Sequence, residues 1–295
     1  MENCLTPSFE VSPLDYHAKL GLDRSDIFSR DSWLSKSRIW ELHDSSLFRW
    51  RFSPQVFTPT VSTEWGTLVD TLVTCPEQFE KIAEPHSFPN FRTKEAREFR
   101  DDAQAAGKIL VNEELSKEVR RAADRILTNR DVRPVLNGAK TQVVLLSVIQ
   151  GVQFKALVDI VPEFDGCLYD LKTVADLSRR GIEKAIGNFG YHVQAGIYRK
   201  LWNNLHPDDP RDRFRFIWQQ SCPPYEVAIT ELPSSDIDAG EEWAAHHLDR
   251  LIKATKANRW PNVFDDQVPV LGRSMGATYA QEDELNGLSP APSLK

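Results

Sequence analysis

The chain has 295 residues, of which 36 are Lys or Arg and 43 are Asp or Glu, so its formal net charge is −7. Hydrophobic residues make up 41% and charged residues 27%, which is typical of a globular protein with one large domain or two small ones and excludes a wholly disordered chain. The acidic balance also excludes a protein that coats nucleic acid by bulk positive charge, but it permits a local basic groove.

The two ends of the chain differ from the part between them. Residues 1–30 are polar without a sustained period, and the last residues are small, polar and rich in proline. We therefore predict an N-terminal tail or loosely docked arm (1–30), a folded domain (31–265) and a flexible C-terminal tail (266–295). The opening residues contain no apolar h-region, and no apolar run reaches roughly 18 residues, so we predict neither a signal peptide nor a membrane span.

The cysteines indicate a reducing compartment. No two of them are spaced as C-x-x-C, which argues against a zinc ribbon and against an iron–sulfur cluster local in sequence. Without a signal peptide a disulfide framework is not expected either, so we predict a cytoplasmic protein. The cysteines are Cys4, Cys75, Cys167 and Cys222.

Helical spacing dominates the first half of the predicted domain. A short helix after a serine cap is predicted over residues 34–42, and apolar residues at helical spacing predict another over 65–73. Asn112 is the predicted N-cap of a third helix, whose apolar stripe ends at Leu127.

Strands and helices then alternate. Runs rich in β-branched residues predict three strands, at residues 143–149, 154–161 and 166–172. There follow a predicted helix over 182–197, a strand over 213–218 with a hairpin partner at 225–229, and a long helix from an Asp236 cap. This order predicts an α/β fold with a central mixed β-sheet flanked by helices.

Two carboxylates and an ammonium group are predicted to meet on one β-hairpin. Asp159 lies near the end of one predicted strand, and Asp170 and Lys172 lie on the next. Side chains alternate along a strand, so Asp170 and Lys172 point to the same face about 6.6 Å apart, while Leu171 points to the core. Asp159 joins that face if the two strands pair antiparallel in the matching register.

This group of side chains has a chemical use. Two aspartates and a backbone carbonyl such as that of Leu171 supply the oxygen ligands that Mg²⁺ prefers and leave room for water and a phosphate. Lys172 would then orient the attacking water or stabilise the charge that develops in the transition state. The alternative is an ion pair on a solvated strand without a chemical role.

The helix that follows carries a second polar stripe. Tyr191, Gln194 and Tyr198 share one face, which is separate from the apolar stripe of the same segment. They could hydrogen-bond a phosphate or orient Lys172. Alternatively, the two tyrosines pack with their hydroxyl groups at the rim.

The motifs in this order resemble a known family. Asp159, Asp170-x-Lys172 and Gln194-x-x-x-Tyr198 are similar to the PD-(D/E)-x-K nuclease superfamily, in its RecB-like branch with the Q-x-x-x-Y motif. The closer likeness is to RecE-like (exonuclease VIII) nuclease domains. Further matching segments are Leu34-Ser-Lys-Ser37, Gly66 to Phe79, Asp170-Leu-Lys-Thr173, Tyr191 to Ala195, Pro223-Pro-Tyr225 and Arg259-Trp-Pro261.

The resemblance implies a restriction-endonuclease-like core and a Mg²⁺-dependent exodeoxyribonuclease, with Mn²⁺ as an alternative ion. Such enzymes degrade one strand of linear double-stranded DNA from 5′ to 3′ in recombination or repair. They hand the remaining strand to a RecT-like single-strand annealing protein and often form ring-like homo-oligomers. By motif match, Asp159 and Asp170 are metal ligands, Lys172 is the catalytic lysine, and Gln194, Tyr191 and Tyr198 belong to the active-site helix.

Three positions depart from the family pattern. Asp70 stands where the family has a helical histidine, and it remains a candidate ligand because its carboxylate suits a hard cation. Gln142 and Gln220 stand where glutamates are often found. These replacements leave open a catalytically weak DNA-end-binding protein as an alternative, beside a structure-specific endonuclease of the same fold.

Contact with DNA requires local positive charge on this acidic chain. Arg179, Arg180 and Lys184 follow the predicted metal hairpin closely and are the candidate DNA-binding residues. The alternative is a solvated helix face, since Glu183 lies among them.

Overall fold

The structure is a computed structural model that describes residue 16 and residues 19–55 and 58–265. The predicted C-terminal tail, 266–295, lies outside the described residues. Among the described residues, no helix is both apolar enough and long enough to cross a lipid bilayer.

In the described ranges, six strands form one mixed sheet and two more form a small parallel sheet. In chain order the strands are β1 (Trp33–Leu34), β2 (Ala83–Pro85), β3 (Ile109–Val111), β4 (Lys140–Ile149), β5 (Val152–Val161), β6 (Cys167–Val174), β7 (Arg213–Gln220) and β8 (Val227–Glu231). The main sheet has the order β1-β5-β6-β7-β8, and β4 also pairs with β5. β5 runs antiparallel to β4 and β6, whereas β6 and β7 are parallel.

Helices cover this sheet, as the sequence predicts for a restriction-endonuclease-like core. They are α1 (Lys36–Trp40), α2 (Leu47–Phe52), α3 (Val61–Thr74), α4 (Phe79–Ile82), α5 (Lys94–Ala105), α6 (Glu113–Leu127), α7 (Arg133–Leu136), α8 (Arg179–Phe189), α9 (Tyr191–Leu205) and α10 (Ser234–Ala257), with a 3₁₀ turn at Pro76–Gln78. Asn112 caps α6 as predicted, because its side chain accepts a hydrogen bond from the Leu115 amide at 2.8 Å.

Alternating side chains of β6 and β7 pack into two apolar cores. Leu168, Phe214 and Phe216 join the core formed with α8, α9 and α10. Tyr169 and Leu171 join the core formed with α3 and α6. Asp170 and Lys172 therefore lie on the α9 side of the sheet, opposite to Leu171.

The single helix predicted over 182–197 is two helices. Gly190 separates them in the left-handed conformation, with φ of 60°. A side chain there would also collide with Trp40, because an added Cβ would lie 2.5 Å from the indole ring. The apolar period continues across the break, which is why the sequence pattern did not reveal it.

Two further predictions need correction. Asp236 is not the cap of α10, which begins at Ser234 with Asp236 inside its first turn. The predicted N-terminal tail is wrong in its described part, since Leu20 and Ile27 are buried in the apolar cores. The buried Lys155 ammonium holds this segment by donating to the carbonyls of Tyr16 and Leu20 at 3.0 and 2.5 Å. Residues 20–32 form neither helix nor strand, so they show no period, and their burial depends on distant contacts.

Candidate functional site

Asp170 on β6 is the centre of a polar cluster. Its side chain is only 2% exposed, and both of its oxygens are engaged. The buried Gln194 amide on α9 donates to Oδ1, and the Lys172 ammonium pairs with Oδ2. The predicted hairpin residues and the predicted helix glutamine are therefore in direct contact.

Asp159 joins this cluster from β5. The antiparallel pairing of Ile160 with Tyr169 puts Asp159 next to Asp170 across the two strands. Its Oδ2 accepts a hydrogen bond from the Leu171 amide at 2.8 Å. Burial raises the pKa of Asp159 well above its usual range, and the charges of Asp170 and Asp70 raise it further.

Helix α3 brings Asp70 to the same place. Gly66 lies one turn earlier, and a Cβ there would come within 3.0 Å of the Thr173 hydroxyl, so glycine permits the close approach of α3 to β6. The Oδ1 atom of Asp70 is buried without a hydrogen-bond partner. Burial, followed by the charge of Asp170, raises the pKa of Asp70 to about 7.

Gln142 on β4 contacts Asp70 directly. Its Nε2 donates to Asp70 Oδ2 at 3.2 Å and to the Thr74 hydroxyl at 3.0 Å. The residue has φ of 50°, which is uncommon for a side chain larger than glycine and is a form of backbone strain often held at functional sites. The sequence identifies Gln142 only as a departure from the family pattern. Its contact with Asp70, which is 72 residues earlier, cannot be predicted from the local sequence around either residue.

The two tyrosines of α9 take different positions. The Lys172 ammonium lies 4.8 Å from the ring centroid of Tyr191, within cation–π distance. Tyr198 packs edge-on against Phe214 at 6.2 Å between centroids, and burial holds its pKa well above the usual range. Tyr191 is therefore part of the cluster around Lys172, whereas Tyr198 contacts the core beside it.

The predicted DNA-binding residues lie on α8, which begins shortly after β6 ends. Arg179, Arg180 and Lys184 are exposed, and Arg179 forms an ion pair with Glu183 at 2.7 Å between Nε and Oε1. None of them has a hydrogen bond or ion pair with the carboxylate cluster among the described residues. They remain candidates for contact with an extended ligand.

The electrostatics of the cluster fit a divalent cation. The charges of Asp70, Asp159 and Asp170 oppose one another in a largely buried place, and Lys172 is the cation paired with Asp170. The unpartnered Asp70 oxygen and the hard oxygen donors suit Mg²⁺ or Mn²⁺, and the Leu171 carbonyl belongs to the same strand segment. Among the described residues no group of three or more His, Cys, Asp or Glu side chains is already arranged to hold a metal ion. One oxygen of Asp159 and one of Asp170 accept hydrogen bonds from the protein.

Comparison with known proteins gives a family and a fold. A family model described as a PDDEXK-like domain of unknown function (DUF3799) matches residues 58–265. The fold is similar to a crystal structure from Eubacterium rectale described as a "Putative exonuclease", with a TM-score of 0.60 and 11% identity over 92% of this chain and 99% of that chain. A structure described as SSO0001 covers 78% of this chain and 86% of its own at 14% identity, and its TM-score of 0.28 is too low to indicate a shared fold. No curated protein matches the sequence.

Proposed function

Because the chain belongs to the family of PDDEXK-like domains, we propose that this nuclease is a metal-dependent exodeoxyribonuclease that degrades linear double-stranded DNA. The proposal includes 5′-to-3′ polarity and a role in recombination or repair, both of which rest on the resemblance to RecE-like domains. The observation that carries it is the convergence of Asp70, Asp159, Asp170 and Lys172 on one place beside α9.

In this proposal the aspartates bind the metal ion and the neighbouring groups orient them. A bound Mg²⁺ would neutralise charge on the phosphate and lower the pKa of a water molecule. Asp159 and Asp170, with Asp70, would hold the ion, and the Leu171 amide fixes one oxygen of Asp159. Gln194 orients Asp170 through its hydrogen bond, as partners behind a metal ligand commonly do.

Lys172 is the proposed electrostatic catalyst. Burial alone would lower its pKa, but the interactions with Asp170, Tyr191 and Asp159 together outweigh this effect and raise the pKa above its usual value. The ammonium is therefore charged at neutral pH. It can donate to a phosphate oxygen on which negative charge grows, which is the step where a fixed cation in a dry site contributes most.

A catalytically weak DNA-end-binding protein is the second candidate. One observation favours it: the Gln142 amide donates a hydrogen bond to an oxygen of Asp70 that could otherwise coordinate a metal ion. A structure-specific endonuclease of the same fold is a third candidate, and the choice of substrate separates it from the other two.

The test uses 5′- and 3′-end-labelled linear duplex and closed circular DNA, each with Mg²⁺, with Mn²⁺ and with a chelator. We expect metal-dependent loss of the 5′ label from linear DNA and intact circles. Asp170→Asn should abolish the reaction. Glu163→Gln, an exposed carboxylate in the turn of the same hairpin, is the matched control and should not change it. Nicking of circles would favour the endonuclease, and tight end binding without cleavage would favour the weak binder.

The proposed partners follow from the resemblance alone. A RecT-like annealing protein would receive the remaining strand, and the chain would act as a homo-oligomer. Light scattering of the purified protein tests the second part, since a monomer at working concentration would contradict it. Co-purification with an annealing protein tests the first.

A further inference from the structure

Lys36 is a second, partly exposed lysine beside the candidate site. It is the first residue of α1, and its ammonium donates to the carbonyl of Phe189, where α8 ends. The nitrogen also lies 5.7 Å from the ring centroid of Trp40 and 5.5 Å from that of Tyr191. Tyr191 therefore has two ammonium groups near its ring, those of Lys36 and Lys172.

The charge of Lys36 has no matching carboxylate. Among the described residues no Asp or Glu is within ion-pair distance of it, and the nearby Asp170 is already paired with Lys172. Burial and the charge of Lys172 together lower the pKa of Lys36 to about 7. A partly desolvated ammonium without an ion-pair partner is unfavourable, so an anion that reaches it would be bound favourably.

The position of Lys36 is fixed by packing. Gly190 allows the Trp40 ring to lie against the break between α8 and α9, where any side chain would collide with it. The ring and the Phe189 carbonyl hold the lysine from two sides. Its nitrogen therefore stays near Tyr191 without a ligand, which reduces the entropy lost on binding.

We propose that Lys36 binds a phosphate of the DNA strand next to the phosphate that is hydrolysed. This inference rests on the proposed nuclease function. A strand carries one phosphate per roughly 3.4 Å of helix axis, so a strand that passes Tyr191 presents successive phosphates to both Lys172 and Lys36. Lys36 is thus a binding residue that sets how the strand lies across the site, and it takes no part in the hydrolytic step.

The competing explanation is a structural clamp. In that case the bond from Lys36 to the Phe189 carbonyl serves only to fasten α1 to the helix break. The stability of a Lys36 variant does not separate the two explanations. The two explanations differ in the salt dependence of DNA binding. Substitution of Lys36 changes this dependence only if Lys36 displaces counterions from a phosphate.

The experiment measures the dissociation constant of a short duplex by fluorescence anisotropy, in a chelator, over a series of salt concentrations. Lys36→Met keeps the length and the apolar contacts of the side chain, and Lys36→Gln serves if the methionine variant does not fold. We expect the slope of log K against log salt to fall by about 0.9, which is the loss of one phosphate contact. Lys36→Arg should keep the wild-type slope.

Lys108→Met is the matched control, because Lys108 is already paired with Glu84 on the small sheet. Its slope should equal that of the wild type. If Lys36→Met also keeps the wild-type slope while the wild-type protein cleaves DNA, the inference about Lys36 is overturned and the proposed function stands. If the wild-type protein neither binds nor cleaves DNA with any metal, the proposed function fails and the inference fails with it.

Discussion

The raised pKa of Asp70 predicts that this residue destabilises the metal-free protein at neutral pH. The carboxyl titrates near 3.8 when unperturbed and near 7 in the folded protein. Between these values the unfolded chain releases the proton while the folded chain retains it, so stability falls as pH rises through this window and stays low above it. At about 1.36 kcal/mol per pKa unit the full effect is about 4 kcal/mol, and partial exposure of the side chain reduces the expected value to about 2 kcal/mol.

Asp70→Asn removes the charge and retains an oxygen that can accept from Gln142. In a chelator at pH 8 we expect this variant to be more stable than the wild type by about 2 kcal/mol, with the difference disappearing near pH 4. Urea unfolding at both pH values measures it. Adding Mg²⁺ at pH 8 should stabilise the wild type more than the variant. Equal stability of the two proteins at pH 8 would refute the argument that Asp70 is buried against like charges.

Three other predictions concern the reaction itself. Lys172→Met should lower metal-dependent hydrolysis of linear duplex by a factor of about 10² to 10³; a variant with unchanged turnover would remove the lysine from the mechanism. Gln194→Leu should raise the Mg²⁺ concentration for half-maximal activity about 10- to 100-fold, because Asp170 loses its orienting donor, and an unchanged metal titration would contradict this. Asp70→His should retain activity. Asp70→His combined with Gln142→Glu should be the more active of the two variants, because positions 70 and 142 together then keep the single negative charge of the wild type. Complete loss of activity in both variants would show that Asp70 does not occupy the position of the family histidine.

The relative positions of the site residues on one hairpin can be predicted from the sequence because they depend on local backbone geometry. Alternation along β6 puts Asp170 and Lys172 on the same face, and the short turn to β5 brings Asp159 beside them. The helical spacing that predicts Gln194 next to Tyr191 depends equally on a single regular element. In both cases one dihedral pattern determines the relative positions of the side chains.

The parts that the sequence does not reveal join residues far apart in the chain. Asp70 meets Gln142 only because α3 packs closely on β6 at Gly66, and that packing has no period of its own. Lys36 meets Phe189 across 153 positions, at a helix break that the apolar pattern conceals. The N-terminal segment likewise docks through Lys155, so it looks like a tail in the sequence.

The charges at this site lower the stability of the ligand-free fold, which indicates that they serve to bind charged ligands. Three carboxylates and two lysines lie close together beneath partial cover, whereas apolar residues of similar size would make a core at least as stable. Within the described part of the chain, one oxygen of Asp70 has no hydrogen-bond partner and Lys36 has no ion-pair partner. A divalent cation against the carboxylates would give the Asp70 oxygen a partner, and a phosphate against the lysines would give Lys36 a counter-ion. A metal and a nucleic acid backbone together are therefore the ligands that this combination of charges fits best.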